Sequence, residues 1–310
     1  MRNAVVDIGS NTVKMNVYDI NANEIGADGE CHLILSESKT LGLLNYNIKH
    51  IMNDDGIFKL IETLVEYRTL AENVKTENIY FIATASLRVV ENREEIISIV
   101  KDRSGIEIEI ISGENEALLS FEGLKYGLAG EKLRSGIMID MGGGSTEIIG
   151  FVDGLAVRAL SLNFGSLSLF RKFVGEIIPT DNELKKIDKY ILKKTSDINW
   201  FSNYGDTVYL VGGTARAIGK LHAEFFNIAF ALSDNAYYMK YNEMKQIMKN
   251  FDIDTIVRMI PDRIHTVLPG LCAFCRLLNL MGTQNVVIAK SGLREGYILS
   301  KIKLIGAGLL

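Results

Sequence analysis

Three stretches of this chain put small, turn-forming residues next to groups that bind anions or cations. They are Asp7-Ile8-Gly9-Ser10-Asn11-Thr12, Asp140-Met141-Gly142-Gly143-Gly144-Ser145-Thr146-Glu147 and Val211-Gly212-Gly213-Thr214-Ala215-Arg216. Glycine lets the backbone turn tightly and approach an anion with no Cβ in the way, and exposed N–H groups and hydroxyls donate to phosphate oxygens. Ser10, Asn11, Gly142, Gly143, Gly144, Ser145, Gly212, Gly213 and Thr214 are therefore the candidate phosphate-holding residues. Asp7 and Asp140, with Glu147, are hard oxygen ligands of the kind that hold Mg²⁺, or Mn²⁺, through one or two carboxylates while the substrate phosphates and water fill the other positions. A single Asp-x-Gly is an ordinary Asx turn. Two in the same spacing of acid, glycine and hydroxyl, followed by a strand-Gly-Gly-helix turn, make a set that chance turns do not explain.

These turns sit in a repeated order of elements. Residues 3–8 and 12–20 are β-rich runs joined by Gly9-Ser10-Asn11, and a third run spans His32 to Ser36. Asp54 to Glu72 carries apolar residues at helical spacing after an acidic cap. Strand 79–83, helix 92–102, strand 106–111 and a helix opening after Ser112-Gly113 follow. The second half repeats this with strands at 136–141, 146–152 and 155–162, helices at 165–174 and 181–195, strand 207–211 and helix 214–222. A helical stretch from 240 to about 280, strand 285–288 and a final helix from Gly292 complete it. Such a duplication predicts two domains, 1–124 and 125–310, with a linker near 122–135, a ligand cleft between the halves, and a last helix free to pack back on the first.

The bulk properties agree. A chain of 310 residues with 47% apolar content supports two cores, and 34 Lys and Arg against 38 Asp and Glu give none of the basic surplus of a general nucleic-acid binder. The start lacks a signal-peptide h-region, and no run of about 18 apolar residues suggests a membrane span. Three cysteines make no disulfide framework, and Cys272 and Cys275 lie in an apolar helical segment. The expectation is a soluble cytoplasmic protein without nucleic-acid or membrane partners, and a homodimer is compatible with it.

The glycine turns resemble the phosphate sites of the actin, Hsp70 and sugar kinase superfamily. The likeness sharpens at Thr84-Ala85-Ser86-Leu87-Arg88, at Ile111-Ser112-Gly113-Glu114-Asn115-Glu116-Ala117 and at the closing Gly292-Leu293-Arg294-Glu295-Gly296. With the three turns, these words are similar to those of the exopolyphosphatase/guanosine pentaphosphate phosphohydrolase (Ppx/GppA) family over nearly the whole chain. The resemblance implies an α/β fold of two RNase H-like, actin-like ATPase domains with an interdomain cleft. It implies an acid anhydride hydrolase that uses Mg²⁺ and water to remove the terminal phosphate of polyphosphate or the 5′-γ phosphate of guanosine pentaphosphate. Glu116 would be the catalytic carboxylate and Arg88 a clamp on the departing phosphoryl group. On its own, Glu116 with Glu114 merely complements a helix end, where the dipole favours a negative charge, and Arg88 equally suits a helix cap.

Some positions depart from the family pattern. Lys39-Thr40-Leu41-Gly42-Leu43-Leu44 replaces an Arg-x-Gly-x-Gly-Leu stretch, His265-Thr266 stands where an acidic residue commonly precedes Val267, and Lys14 replaces a different side chain. Longer members continue into a helical C-terminal region that holds extended polyphosphate, so a shorter polyanion or a guanosine pentaphosphate end is the expected ligand. Two other readings stand beside hydrolysis: a regulator that binds guanosine tetraphosphate or pentaphosphate without turnover, and a superfamily kinase, for which no acceptor site is apparent.

Overall fold

The computed structural model describes residues 1–20, 31–128, 133–231 and 235–306. They fall into two compact units: Met1–Glu116 together with the chain from Arg294 onward, and Ala117–Leu293. The division cuts helix α4 (Gly113–Gly127) between Glu116 and Ala117, upstream of the boundary after residue 124 anticipated from sequence.

The first unit contains β1 (Arg2–Ile8), β2 (Thr12–Ile20), β3 (Cys31–Thr40), the small hairpin β4 (Asn47–Ile48) and β5 (Ile51–Met52), and α1 (Asp54–Asn73). Then come β6 (Asn78–Ala83), the single turn α2 (Ala85–Arg88), α3 (Arg93–Ser104), β7 (Ile108–Ile110) and the start of α4. Its sheet runs β3-β2-β1-β6-β7, antiparallel over the first three strands and parallel from β1 onward. Strand side chains alternate faces. Ala4, Val6 and Ile8 join Val13, Met15 and Val17 in a core with Leu60 and Leu64 of α1 and Ile96 and Val100 of α3. The opposite face, carrying Asn3, Asp7, Lys14, Asn16 and Tyr18, is mostly polar. It meets α11 (Leu293–Gly306), whose Glu295 accepts from the Tyr18 hydroxyl and whose Tyr297 donates to Glu109 of β7 at 2.6 Å.

The second unit repeats this plan with β8 (Ser135–Met141), β9 (Thr146–Val152), β10 (Leu155–Leu162), α5 (Ser166–Phe173) and α6 (Asp181–Lys194). β11 (Thr207–Val211), α7 (Gly212–Phe225), β12 (Ala236–Lys240), α8 (Tyr241–Asn250), α9 (Ile253–Met259), α10 (Val267–Met281) and β13 (Asn285–Ala289) follow. The strand order is β10-β9-β8-β11-β13-β12. One face packs Ile137, Ile139 and Ile148 against the helices around Leu271 and Phe274, and the other packs Met138, Ile149 and Phe151 against Ala117, Phe121 and Leu124 of α4. Thus the helix after β7 covers a face of the second sheet, and the helix after β13 returns to the first. Three antiparallel strands leading into parallel ones, twice over, are the actin-like α/β fold expected from the sequence.

Several element readings need correction. The helical stretch expected from 240 to 280 is broken: Asp252 caps α9 by accepting from Thr255 N, and Pro261, which lacks an N–H, opens a 3-10 turn at Pro261–Arg263 before α10. β12 precedes it as an edge strand. Arg88 is the last residue of the single turn α2, and α7 begins at Gly212, two residues before Thr214. α4 continues through Gly127, into the segment read as linker, of which residues 129–132 lie outside the described ones. Cys272 and Cys275 do lie in α10, where burial pushes both thiols up to about 12. His222, buried near the end of α7, has Nδ1 2.7 Å from the Tyr237 hydroxyl and Nε2 3.2 Å from Glu243. Burial pushes its pKa below the ordinary imidazole value, with Glu243 opposing.

Candidate functional site

In the second unit, β8 and β9 form a hairpin whose turn closes with Gly142 N donating to Ser145 O at 3.0 Å. The backbone of α5 docks on it: Ser166 N donates to Gly142 O, and Leu167 N and Ser168 N donate to Gly143 O, all near 3.0 Å. Asp140 lies opposite Glu147 in the antiparallel register, so both carboxylates leave the same face of the sheet. Each is oriented by a hydroxyl. Ser120 Oγ of α4 donates to Asp140 Oδ2 at 2.7 Å, and Ser161 Oγ of β10 donates to Glu147 Oε1 at 2.8 Å.

β11 runs parallel to β8 with Val211 level with Asp140, which brings the Gly212-Gly213-Thr214 turn beside the first. Gly212 has φ +95°, and a Cβ there would lie 2.7 Å from Asp140 Oδ1. Thr214 Oγ1 lies 3.3 Å from Ser166 Oγ. All three residues form the first turn of α7, where free N–H groups and the helix dipole favour an anion. This unit therefore gathers Asp140, Gly142, Gly143, Gly144, Ser145, Glu147, Gly212, Gly213 and Thr214 around neighbouring strand ends.

The first unit carries the matching hairpin, closed by Gly9 N donating to Thr12 O at 3.2 Å. Asn11 O accepts from Leu41 N and Gly42 N, which ties the turn to the 39–44 loop. Ser10 Oγ is buried and has no hydrogen-bond partner among the described residues. A buried hydroxyl in that state costs about 1–3 kcal/mol, and a phosphate oxygen would satisfy it. Beside this turn, Ile8 pairs with Ala83 of β6, which delivers α2. Arg88 Nη1 donates to Ile111 O at 2.9 Å and to Glu116 Oε2 at 2.8 Å. Glu116 sits in the first turn of α4, its side chain 10% exposed. The sequence-based pair of catalytic candidates is thus in direct contact.

Among the described residues no cluster of three or more His, Cys, Asp or Glu stands ready as an all-protein metal cage. Asp140 and Glu147, side by side and anchored by hydroxyls, instead fit the sparse carboxylate set from which Mg²⁺ is usually held, with phosphates and water completing the shell. Asp7 is placed differently, with Arg294 Nη1 3.7 Å from its Oδ2.

The Ppx/GppA phosphatase family model matches residues 23–304. The chain belongs to that family. It is 25% identical to exopolyphosphatase 1 of Mycobacterium tuberculosis over 97% of this chain and 88% of that protein. It is 24% identical to the guanosine-5′-triphosphate,3′-diphosphate pyrophosphatase of Pseudoalteromonas atlantica, covering 97% of this chain but 58% of that one. In structure it resembles the Aquifex aeolicus Ppx/GppA family member, with a TM-score of 0.77, 26% identity and 98% of both chains covered. An exopolyphosphatase from Cytophaga hutchinsonii superposes with a TM-score of 0.85 at 19% identity, a likeness of fold.

Three charged residues beside the turns of this Ppx/GppA member were not singled out as site residues in the sequence. Arg263, in the 3-10 turn before α10, lays its guanidinium against Gly213, where a Cβ would collide with it. Burial pulls its pKa below the usual guanidinium value. Lys14 stands opposite Asp7 in the β1–β2 register, on the same face. Arg294 reaches Asp7 from α11. The first has no sequence signal, because residues 261–263 read as part of one helical stretch from 240 to about 280. The second was legible only as a departure and the third only as part of the closing motif. Among the described residues no helix is long and apolar enough to cross a membrane.

Proposed function

We propose that this chain is a phosphohydrolase that removes the terminal phosphoryl group from a chain of phosphoanhydrides, either inorganic polyphosphate or the 5′ end of guanosine pentaphosphate. The observation that carries this reading is the contact between Glu116 and Arg88 next to a hairpin turn with an unsatisfied buried hydroxyl, Ser10. Glu116 takes a proton from water as the water oxygen bonds to the terminal phosphorus, and the anhydride P–O bond breaks. Inorganic phosphate leaves with a polyanion one unit shorter. Phosphoryl transfer depends mainly on positioning and charge neutralisation. The amides of Gly142–Ser145 and Gly212–Thr214, the Ser10 and Ser145 hydroxyls, Asn11, Lys14, Arg88 and Arg263 supply donors and positive charge for the phosphates. Mg²⁺, held in the second unit through Asp140 and Glu147, would add neutralisation of the phosphate oxygens, with Asp7 of the first unit a further candidate ligand.

The relatives' names support both substrates, and their identities near 25% favour neither. Phosphate release from polyphosphates of graded length and from guanosine pentaphosphate, with Mg²⁺, tests the reading. Glu116→Gln should lower kcat by about 10²–10⁴, the typical contribution of a general base, while calorimetric anion binding persists. Wild-type turnover in that variant refutes the role of Glu116. Tight guanosine tetraphosphate binding with no release from any substrate would establish a regulator instead.

A further inference from the structure

Asp7 is embedded in a network that reaches across the polar face of the first sheet. Arg294 of α11 approaches Asp7 Oδ2 through Nη1 at 3.7 Å, the two side chains being 15% and 18% exposed. Its Nε lies 3.1 Å from the side-chain amide of Asn16. Arg294 also donates to the Tyr18 hydroxyl, which in turn donates to Glu295. Burial works against the guanidinium charge, but Glu295, Tyr18 and Asp7 outweigh it and raise its pKa. The same surroundings raise the Tyr18 pKa well above its ordinary value, chiefly through burial and then Glu295, so the hydroxyl stays a donor. A rigid, permanently charged fork therefore stands behind a carboxylate at the mouth of a candidate phosphate turn.

Such a neighbour has opposite effects on two ligands. A bare divalent cation approaching Asp7 meets a carboxylate whose charge is shared with Arg294 and faced by Lys14, and like charges at short range in a partly buried setting repel strongly. A cation already wrapped in phosphates brings net negative charge, which the same guanidinium and ammonium attract. We propose that Arg294 is the positioning residue of Asp7: it fixes the carboxylate and shares its charge, so that Asp7 receives a metal–polyphosphate complex and not the free metal. The turnover part of this idea rests on the phosphohydrolase reading; the metal-binding part does not.

The experiment compares the wild-type full chain with Arg294→Met and Arg294→Lys, with melting temperatures recorded for each. Mn²⁺ binding is measured first by electron paramagnetic resonance without any phosphate ligand, and phosphate release with Mg²⁺ is measured second. Arg294→Met should bind free Mn²⁺ about tenfold more tightly because a nearby positive charge has gone. Its kcat should fall about 10²-fold as Asp7 loses its fixed position. Arg294→Lys keeps the charge but not the planar fork, so its Mn²⁺ affinity should match wild type while kcat recovers only in part. A purely structural arginine would change melting but would not tighten Mn²⁺ binding. Should Arg294→Met fail to fold, Arg294→Gln, which keeps a donor beside Asp7 but removes the charge, takes its place in the Mn²⁺ measurement and should tighten binding by the same order; unchanged affinity there overturns the proposal equally. Wild-type kcat in Arg294→Lys, or unchanged Mn²⁺ affinity in a folded Arg294→Met, overturns the proposal. Absence of phosphate release from the wild type would sink the hydrolase reading, and the Mn²⁺ comparison would still decide this one.

Discussion

Gly212 offers a way to move Asp140 without touching its chemistry. Its φ of +95° disfavours any side chain, and an added Cβ would stand 2.7 Å from Asp140 Oδ1. Holding a non-glycine residue in such a conformation costs about 1–3 kcal/mol, partly offset by about 0.4–1 kcal/mol from the stiffer unfolded chain. Gly205 supplies the control, because its φ of +93° is nearly the same while nothing lies within 4 Å of the position its Cβ would take. Gly205→Ala and Gly212→Ala should therefore share a loss of roughly 1–2 kcal/mol in chemical denaturation. Only in Gly212→Ala must the carboxylate retreat from 2.7 Å toward the 3.4 Å of ordinary contact, straining its 2.7 Å bond from Ser120. Displacement approaching 1 Å at a reacting centre costs about 10²-fold in rate. Phosphate release under saturating substrate should thus fall about a hundredfold in Gly212→Ala and stay near wild type in Gly205→Ala. Equal turnover in the two variants would refute the argument that Asp140 must sit where Gly212 allows it.

Arg263→Met should melt at or above the wild-type temperature, because it removes a buried cation that faces the positive end of α7. The same change should raise the KM for a polyanionic substrate by about tenfold or more, the worth of one charge-assisted hydrogen bond; calorimetry and initial rates read the two effects separately. His222 is held neutral by burial, so its folded pKa lies below the ordinary value of about 6.5. Stability from this group is complete above that value and is lost as the pH falls below it. Melting temperatures measured from pH 7.5 down to 5.5 should decline more steeply in wild type than in His222→Gln, and parallel curves would contradict the assignment.

The phosphate turns were legible because their chemistry is local: glycine, hydroxyl and acid within one hairpin dictate both the bend and its donors. The contact between Arg88 and Glu116 was not spelled out by spacing, since it joins α2 to the first turn of α4 after neighbouring strand ends, yet each residue carried a motif. Arg263 left no trace because the helical reading ran straight through Pro261-Asp262-Arg263, and its partner Gly213 lies fifty positions earlier in the chain. The break at Pro261 was missed because the apolar spacing on either side continues at a helical period, while the cap at Asp252 and the missing proline donor decide the backbone. Lys14 and Asp7 acquire meaning only through register, where a shift of one residue would send them to opposite faces.

The last helix has a consequence for how the protein comes to exist. Strand β1 is made before the second unit, but the side chain that steadies Asp7 emerges only with Arg294, after the whole second unit has been made. Domains form largely as units during synthesis, so the first unit's sheet waits half-dressed while the second unit folds. The face left bare in that interval carries Asn3, Asp7, Lys14 and Asn16, side chains that water can hold until α11 arrives, beside Val5, Tyr18 and Ile82, which end up buried.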